Sequence, residues 1–344
     1  MIHNYRLIFE ATERDLIDMF DLDFMTAVLT DNYQASSRGA VGATARERSA
    51  DTDRSRDPLY NQLKMYSEVY RMLGWLRPGE RRLEFTTTIL GAQIADDFAD
   101  RPDLMFGLLR QCLLAVCFPN PATDNIGVVS QRPFVWLLRV TAALGGAITR
   151  HEMILGLLAV VDDQSPDAFP AAVTAIQTVR GGSRKVLDEA VSNYARSANV
   201  QVNTLENYTR LPVGVLKSGD VGWAMPGRVG GLYSKPTEAL TLTALGLADA
   251  SWAAGAIDVR ERQLGAFTVD ERAYFANYAH YAMLVRSGLE FSAVEKALNK
   301  AAHGCRSILD HFGVDSPDRL LYSPLQQTDD RVLARAEVIE QEMT

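Results

Sequence analysis

Cysteine is scarce in this chain, with three residues, Cys112, Cys117 and Cys305, among 344. An odd number without regular spacing argues against a disulfide framework. Long apolar runs are missing as well. The two longest stretches, 104–118 and 148–161, are broken by Arg110, Gln111, Arg150, His151 and Glu152. Neither approaches the roughly 18–20 apolar residues of a membrane span. The first residues carry Arg6, Glu10, Glu13 and Arg14, which leaves no apolar core for a signal peptide. A cytoplasmic protein without a membrane partner is the expectation. Basic residues are outnumbered, 35 against 43 acidic, for a net charge of −8. Taken alone, that balance disfavours a nucleic-acid binder. No GxxxxGK[ST] loop, no GxGxxG after a strand and no GxSxG elbow is present. A metal-dependent nuclease would need Asp on one strand and Glu-x-Lys on the next, to hold a cation at the scissile phosphate. No Glu-x-Lys occurs, and the nearest pattern, Gln62-Leu63-Lys64, lies inside a helical stretch.

What is there is ordinary globular material, 47% apolar and 23% charged. The length suggests about two domains, or three small ones. The charge is uneven. Residues 61–95 hold 5 basic and 3 acidic groups, 131–160 hold 3 and 1, and 174–236 hold 8 and 4. Three basic islands therefore sit in an acidic chain.

Local pattern divides the chain. Residues 1–30 have helical apolar spacing, and 34–57 are polar and small, as in a linker. Residues 58–74 predict a helix opened by Pro58, with Leu59, Leu63, Tyr66, Tyr70 and Leu73 on one stripe and Gly74 as its stop. Two short strands around Pro78-Gly79 follow, then a helix capped by Thr87 or Thr88. Residues 132–163 predict two helices joined at Gly145-Gly146, the second capped by Thr149 with Glu152 three residues on. Either a helix-turn-helix or a simple helical hairpin fits. A helix over 184–197 ends at Ala198-Asn199. Thr204 can cap another over 205–217, with a kink or early end at Pro212. Short strands then surround Pro226-Gly227 and Gly230-Gly231. The segments RRLEFTTTILG (81–91) and EALTLTALG (238–246) are alike, each a strand, a threonine and a Leu-Gly step. Residues 247–344 are mostly helical and acidic.

Catalytic constellations are thin. Asp96-Asp97, Asp162-Asp163 and Asp329-Asp330 are adjacent pairs, and helix neighbours do not face each other. His303, Cys305 and His311 lack a fourth ligand at suitable spacing. Cys112 and Cys117 read as small buried groups, and Trp75, Trp136 and Trp223 as core packing. Gly181-Gly182 before Ser183-Arg184-Lys185 could touch a phosphate or form a plain loop.

The stretch YNQLKMYSEVYRMLGWLRPGERRLEFTTTILG resembles the first winged-helix block of the DNA-recognition region of type II restriction endonucleases of the FokI and AlwI kind. RPFVWLLRVTAALGGAITRHEMILGLL is similar to the helix-turn-helix that follows. NTLENYTRLPVGVLKSGDVGW and EALTLTALG resemble the next winged helix, and FGVDSPDRLLYSPLQ resembles these enzymes' tail. The resemblance covers roughly 58–250 and 312–326. It implies a mainly α fold with small β-hairpin wings: a helix and linker over 1–57, winged-helix-like units over 58–125 and 174–250, a helix-turn-helix-like unit over 126–173, and a helical region over 251–344. It also implies sequence-specific binding of double-stranded DNA. Without a nuclease signature, the chain would be a recognition subunit, with cleavage on a partner. No cofactor is then expected on this chain, and Mg2+ only where a nuclease site or nuclease partner is present.

Arg reads guanine and Asn reads adenine in the major groove, while Lys and Arg neutralise phosphates. The basic islands then supply the contact candidates: Lys64, Arg71, Arg81, Arg82, Arg132, Arg139, Arg150, Arg184, Lys185, Arg196, Asn203, Asn207, Arg210 and Lys217. Asn207 and Arg210, three apart on one expected helix, lead for base reading. Two other readings use the same sequence: a non-catalytic winged-helix transcriptional regulator or protein-interaction scaffold, and an enzyme whose carboxylates converge only on folding.

Overall fold

The computed structural model describes residues 2–16, 19–32, 58–79, 81, 83–120, 129–290, 292–323 and 329–343. The proposed linker 34–57 and Arg82 lie outside them. The described chain is mainly helical with small sheets. No helix among the described residues is long and apolar enough to cross a membrane.

The N-terminal part runs α1 (Ile2–Ala11), β1 (Phe20–Asp21), α2 (Leu22–Asp31), α3 (Pro58–Met72), β2 (Leu76–Pro78), β3 (Glu84–Thr87) and α4 (Ile89–Asp100). Its sheet has the order β1-β3-β2, all antiparallel. Helix α3 forms as its spacing predicts, burying Leu59, Leu63, Tyr70 and Leu73. It stops where Gly74 takes a φ of 81°, a conformation open to glycine at little cost. α5 (Pro102–Ala115) then leads to the second part. This runs α6 (Pro133–Ala143), β4 (Ala147–Ile148), α7 (Arg150–Met153), a π-helical turn (Ile154–Leu158), α8 (Ala168–Arg180), α9 (Arg184–Ser197), α10 (Val202–Tyr208), α11 (Arg210–Leu216), β5 (Ala224–Val229), β6 (Thr237–Leu242) and α12 (Ala244–Gly255). Its sheet has the order β4-β6-β5. The C-terminal part holds β7 (Ile257–Asp258), α13 (Val269–Arg286), α14 (Ser292–Gly304), α15 (Arg306–Phe312), β8 (Leu320–Leu321) and α16 (Asp330–Met343), with β7 and β8 paired in parallel.

The first two parts repeat one plan, and the repeat extends to single atoms. Each contains Gly-Trp-x-x-Pro-Gly, at 74–79 and 222–227, and each tryptophan is fully buried. The hairpin register matches. Leu76 pairs with Thr87 as Ala224 pairs with Leu242, and Pro78 with Phe85 as Pro226 with Leu240. Phe85 also meets Phe20, as Leu240 meets Ile148. The next residues, Asp21 and Thr149, cap α2 and α7 by accepting from Phe24 N and Glu152 N. Thr88 Oγ1 donates to Gly74 O at 2.6 Å and accepts from Gly91 N at 2.9 Å. Thr243 Oγ1 donates to Gly222 O at 2.7 Å and accepts from Gly246 N at 3.1 Å. These threonines fasten α4 and α12 to the buried tryptophans' turns.

The glycine of each Thr-x-Leu-Gly step is there for lack of space. A Cβ on Gly91 would lie 2.4 Å from Trp75 O, and one on Gly246 would lie 2.2 Å from Trp223 O. Gly91→Ala and Gly246→Ala should each destabilise by about 1–3 kcal/mol, because backbone cannot move aside as a flexible side chain can. Urea unfolding of the two variants checks this, and unchanged midpoints would contradict the shared packing.

Several expectations need correction. Residues 1–30 are not one helical stretch, since β1 interrupts them. Boundaries at 57 and 173 cut sheets, separating β1 from β2 and β3, and β4 from β5 and β6. The boundary at 250 falls inside α12. Strand β4 lies between α6 and α7, and its pairing ties residues 126–173 to the following segment. The helix expected over 205–217 begins at Val202, without a cap from Thr204, and breaks at Thr209 rather than Pro212. Trp75, Trp136 and Trp223 pack the cores and Cys112 and Cys117 are buried, as read from sequence; Cys305 is buried too.

Candidate nucleic-acid interface

The second part concentrates the leading residues, and a polar knot positions them. From α7, Arg150 donates through Nε to Thr209 Oγ1 at 2.8 Å and through Nη2 to the Glu206 carbonyl. Thr209 is fully buried and donates to Glu206 O at 2.8 Å. These bonds stabilise the break between α10 and α11. His151 sits 3.0 Å from Asp188 of α9 and 3.0 Å from Glu206 of α10, with Arg184 2.9 Å from its Nδ1. Arg150 and Arg184 are thus engaged in joining helices. Asn203 and Asn207 are exposed and share a face of α10, four residues apart. Arg210 is exposed at the first position of α11, so the break puts it on a different helix from Asn207. Lys217 is exposed at the end of α11.

Two cations escaped the sequence reading. Arg228 lies on β5 and Lys235 precedes β6, both exposed. They belong to the basic island 174–236, but no motif distinguishes them there. The hairpin signal at Pro226-Gly227 could have pointed to Arg228. The side chains of Arg210, Lys217, Arg228 and Lys235 form no ion pair or hydrogen bond among the described residues, in contrast to those of Arg150, Arg180 and Arg184. Lys185 is exposed 3.7 Å from Glu189, and Arg196 bonds Asn193. Such exposed contacts hold a side chain weakly and leave it available to an anion.

Elsewhere the candidates scatter. Lys64 is exposed on α3, Arg71 is half-buried, and Arg81 is exposed 3.8 Å from Glu84. Arg139 lies over the Phe169 ring, 4.8 Å from its centroid, and joins α6 to α8. Arg132 must be withdrawn as a surface contact, because its side chain has no exposure at all. It donates to Asp258, Ala115 O, Val259 O and Leu321 O, and so ties α5 and α6 to the β7–β8 pair. Arg-Pro at a helix start looks solvated in sequence; only the tertiary fold surrounds it.

The hairpin β5–β6 is clamped to α7 by charge. Glu152, fully buried, accepts from Arg180 Nε at 2.7 Å and from the Tyr233 hydroxyl. Burial raises the Glu152 pKa, but the bonds from Arg180, Tyr233 and the Thr149 amide outweigh it and hold the carboxyl below its usual range. Burial and the adjacent carboxylate push the Tyr233 hydroxyl well upward, so it stays a donor. Among the described residues no three His, Cys, Asp or Glu side chains gather as metal ligands would. What this surface offers chemically is exposed guanidinium, ammonium and amide groups. Comparison with family models and with curated proteins gives no match.

Proposed function

We propose that this chain is a sequence-specific, double-stranded DNA-binding protein, the recognition part of a type II restriction endonuclease-like system. Its two repeated parts act as winged helices, with the β2–β3 and β5–β6 hairpins as wings. Both carry a helix before the first strand, helices before the hairpin, and a sheet whose last strand lies in the middle. The observation that carries the reading is the set of uncommitted cations, Arg210, Lys217, Arg228 and Lys235, on the same part as exposed Asn203 and Asn207. Phosphates attract the cations, and the amides and Arg210 read base edges. The acidic remainder suppresses unspecific binding. Hydrolysis belongs to a nuclease partner that uses Mg2+, and the complex works in the cytoplasm.

The full chain should bind a duplex library with affinity that falls steeply as salt rises, because bound phosphates release counterions. Fluorescence anisotropy at two salt concentrations measures this. Arg210→Ala should lose about 1–3 kcal/mol of discrimination at one base pair if Arg210 reads a base. A uniform loss across sequences would make it a phosphate contact. No binding at low salt would remove the proposal.

A further inference from the structure

We infer that the face formed by β5 and the start of α12 is a docking surface for an amphipathic helix of a separate protein. The repeat supplies the template. In the N-terminal part, Arg77, Thr88 and Leu90 line a cleft whose other wall is α13 and α16, with Ala276, Ala336 and Glu340. Leu90 is left 2% exposed. Arg77 reaches across to Glu337 at 2.9 Å and Glu340 at 2.5 Å. The equivalent positions in the second part, by the matched hairpin register and the Thr-x-Leu-Gly step, are Met225, Thr243 and Leu245. These are open. Met225 is 64% exposed, Leu245 37% and the nearby Leu247 45%.

Further along, α12 exposes Ala244, Ala248 and Ser251, and its one charged residue, Asp249, accepts from Trp223 Nε1 at 2.7 Å. A helix face that remains in water ordinarily carries charge. This one is uncharged, while its counterpart Leu90 is covered by helices. Exposed apolar residues gathered on one strand and the first turns of one helix mark a protein contact.

The occupant follows from the same comparison. A strand added to the β5 edge is disfavoured, because Pro226 has no N–H to pair. A second copy of the chain is disfavoured too, since its α13 and α16 already face its own N-terminal part and are not free for this surface. That leaves a helix of another polypeptide, packed closely through alanine and leucine. Where α16 carries Glu340 for Arg77, this helix needs an apolar residue for Met225. The surface shares β5 with Arg228 but uses neither that residue nor those of α10 and α11, so either assignment can fail alone.

The test uses the full chain and two fluorescent peptides of residues 329–343, one native and one with Glu337→Ala and Glu340→Leu. Anisotropy should show the altered peptide binding at least about tenfold tighter. Met225→Arg should reverse that preference, and Leu245→Asp should weaken the altered peptide by about tenfold or more. Circular dichroism melts verify that both variants fold, and Arg210→Ala should leave peptide binding unchanged. The proposal is overturned if neither peptide binds at millimolar concentration, or if residue 225 has no influence on the preference. Sedimentation showing a dimer of the wild-type chain that Met225→Arg dissociates would also overturn it, in favour of self-association.

Discussion

Arg132→Met should destabilise the protein by about 3–5 kcal/mol while leaving the proposed DNA sequence preference untouched. The guanidinium is enclosed completely and donates to Asp258 at 2.6 Å and to Ala115 O at 2.7 Å. It also donates to Val259 O at 3.2 Å and Leu321 O at 3.1 Å. Methionine fills the space without supplying one donor, and each buried carbonyl left unpaired costs about 1–3 kcal/mol. Asp258 would keep only Arg260, at 2.7 Å, which is shared with Asp163 at 2.6 Å. Urea unfolding at neutral pH measures the loss. A change within about 0.5 kcal/mol, the usual range for a surface substitution, would mean that the network is open to water. A changed base preference with unchanged stability would restore Arg132 to the proposed DNA contacts.

Glu152→Gln should have a comparable effect and a distinct pH signature. Glutamine keeps the shape but removes the charge facing Arg180, whose side chain is 14% exposed. An uncompensated buried charge costs about 3–5 kcal/mol. The native carboxyl titrates below its ordinary value of 4.5, because the bonds from Arg180 and Tyr233 outweigh the upward push of burial. A depressed folded-state pKa contributes stability that is fully present above the unfolded value and is lost as pH falls through the folded one. The difference between wild type and Glu152→Gln should therefore be largest near neutrality and shrink as pH falls below 4.5. Unfolding midpoints at about pH 7 and about pH 3.5 test this. A difference that is constant or grows on acidification would place the stabilising interaction elsewhere.

Much of the fold was legible because its signals are local. Pro58 opening α3, Gly74 ending it, Thr149 with Glu152 at α7, and the Pro-Gly hairpins each act within a few residues. The likeness of the two Thr-x-Leu-Gly segments was visible as well. What stayed hidden was its partner, the Gly-Trp turn that each threonine grips, since the connecting hairpins differ in length. Strand β1 escaped because Phe20 and Asp21 have no strand pattern of their own and pair only with distant Phe85 and Glu84. Of the site, Asn203, Asn207, Arg210 and Lys217 were legible as polar groups on a helical stretch. The break at Thr209 was not, because it depends on Arg150 from another helix.

By itself, the sequence determined the helix ends, the turns and the apolar stripes, since proline, glycine and capping threonine restrict the backbone wherever they stand. It also determined where the basic residues cluster. Only the tertiary structure decided which of those cations are available. Arg132 and Arg180 are consumed by buried carboxylates and carbonyls, while Arg210 and Arg228 remain exposed. Identical side chains differ here because burial makes an unpaired charge intolerable, so each enclosed arginine needs partners that only folding can assemble. The same holds for Leu90 and Leu245, which occupy one place in a repeated plan. One is covered and the other open, according to whether α13 and α16 pack against it.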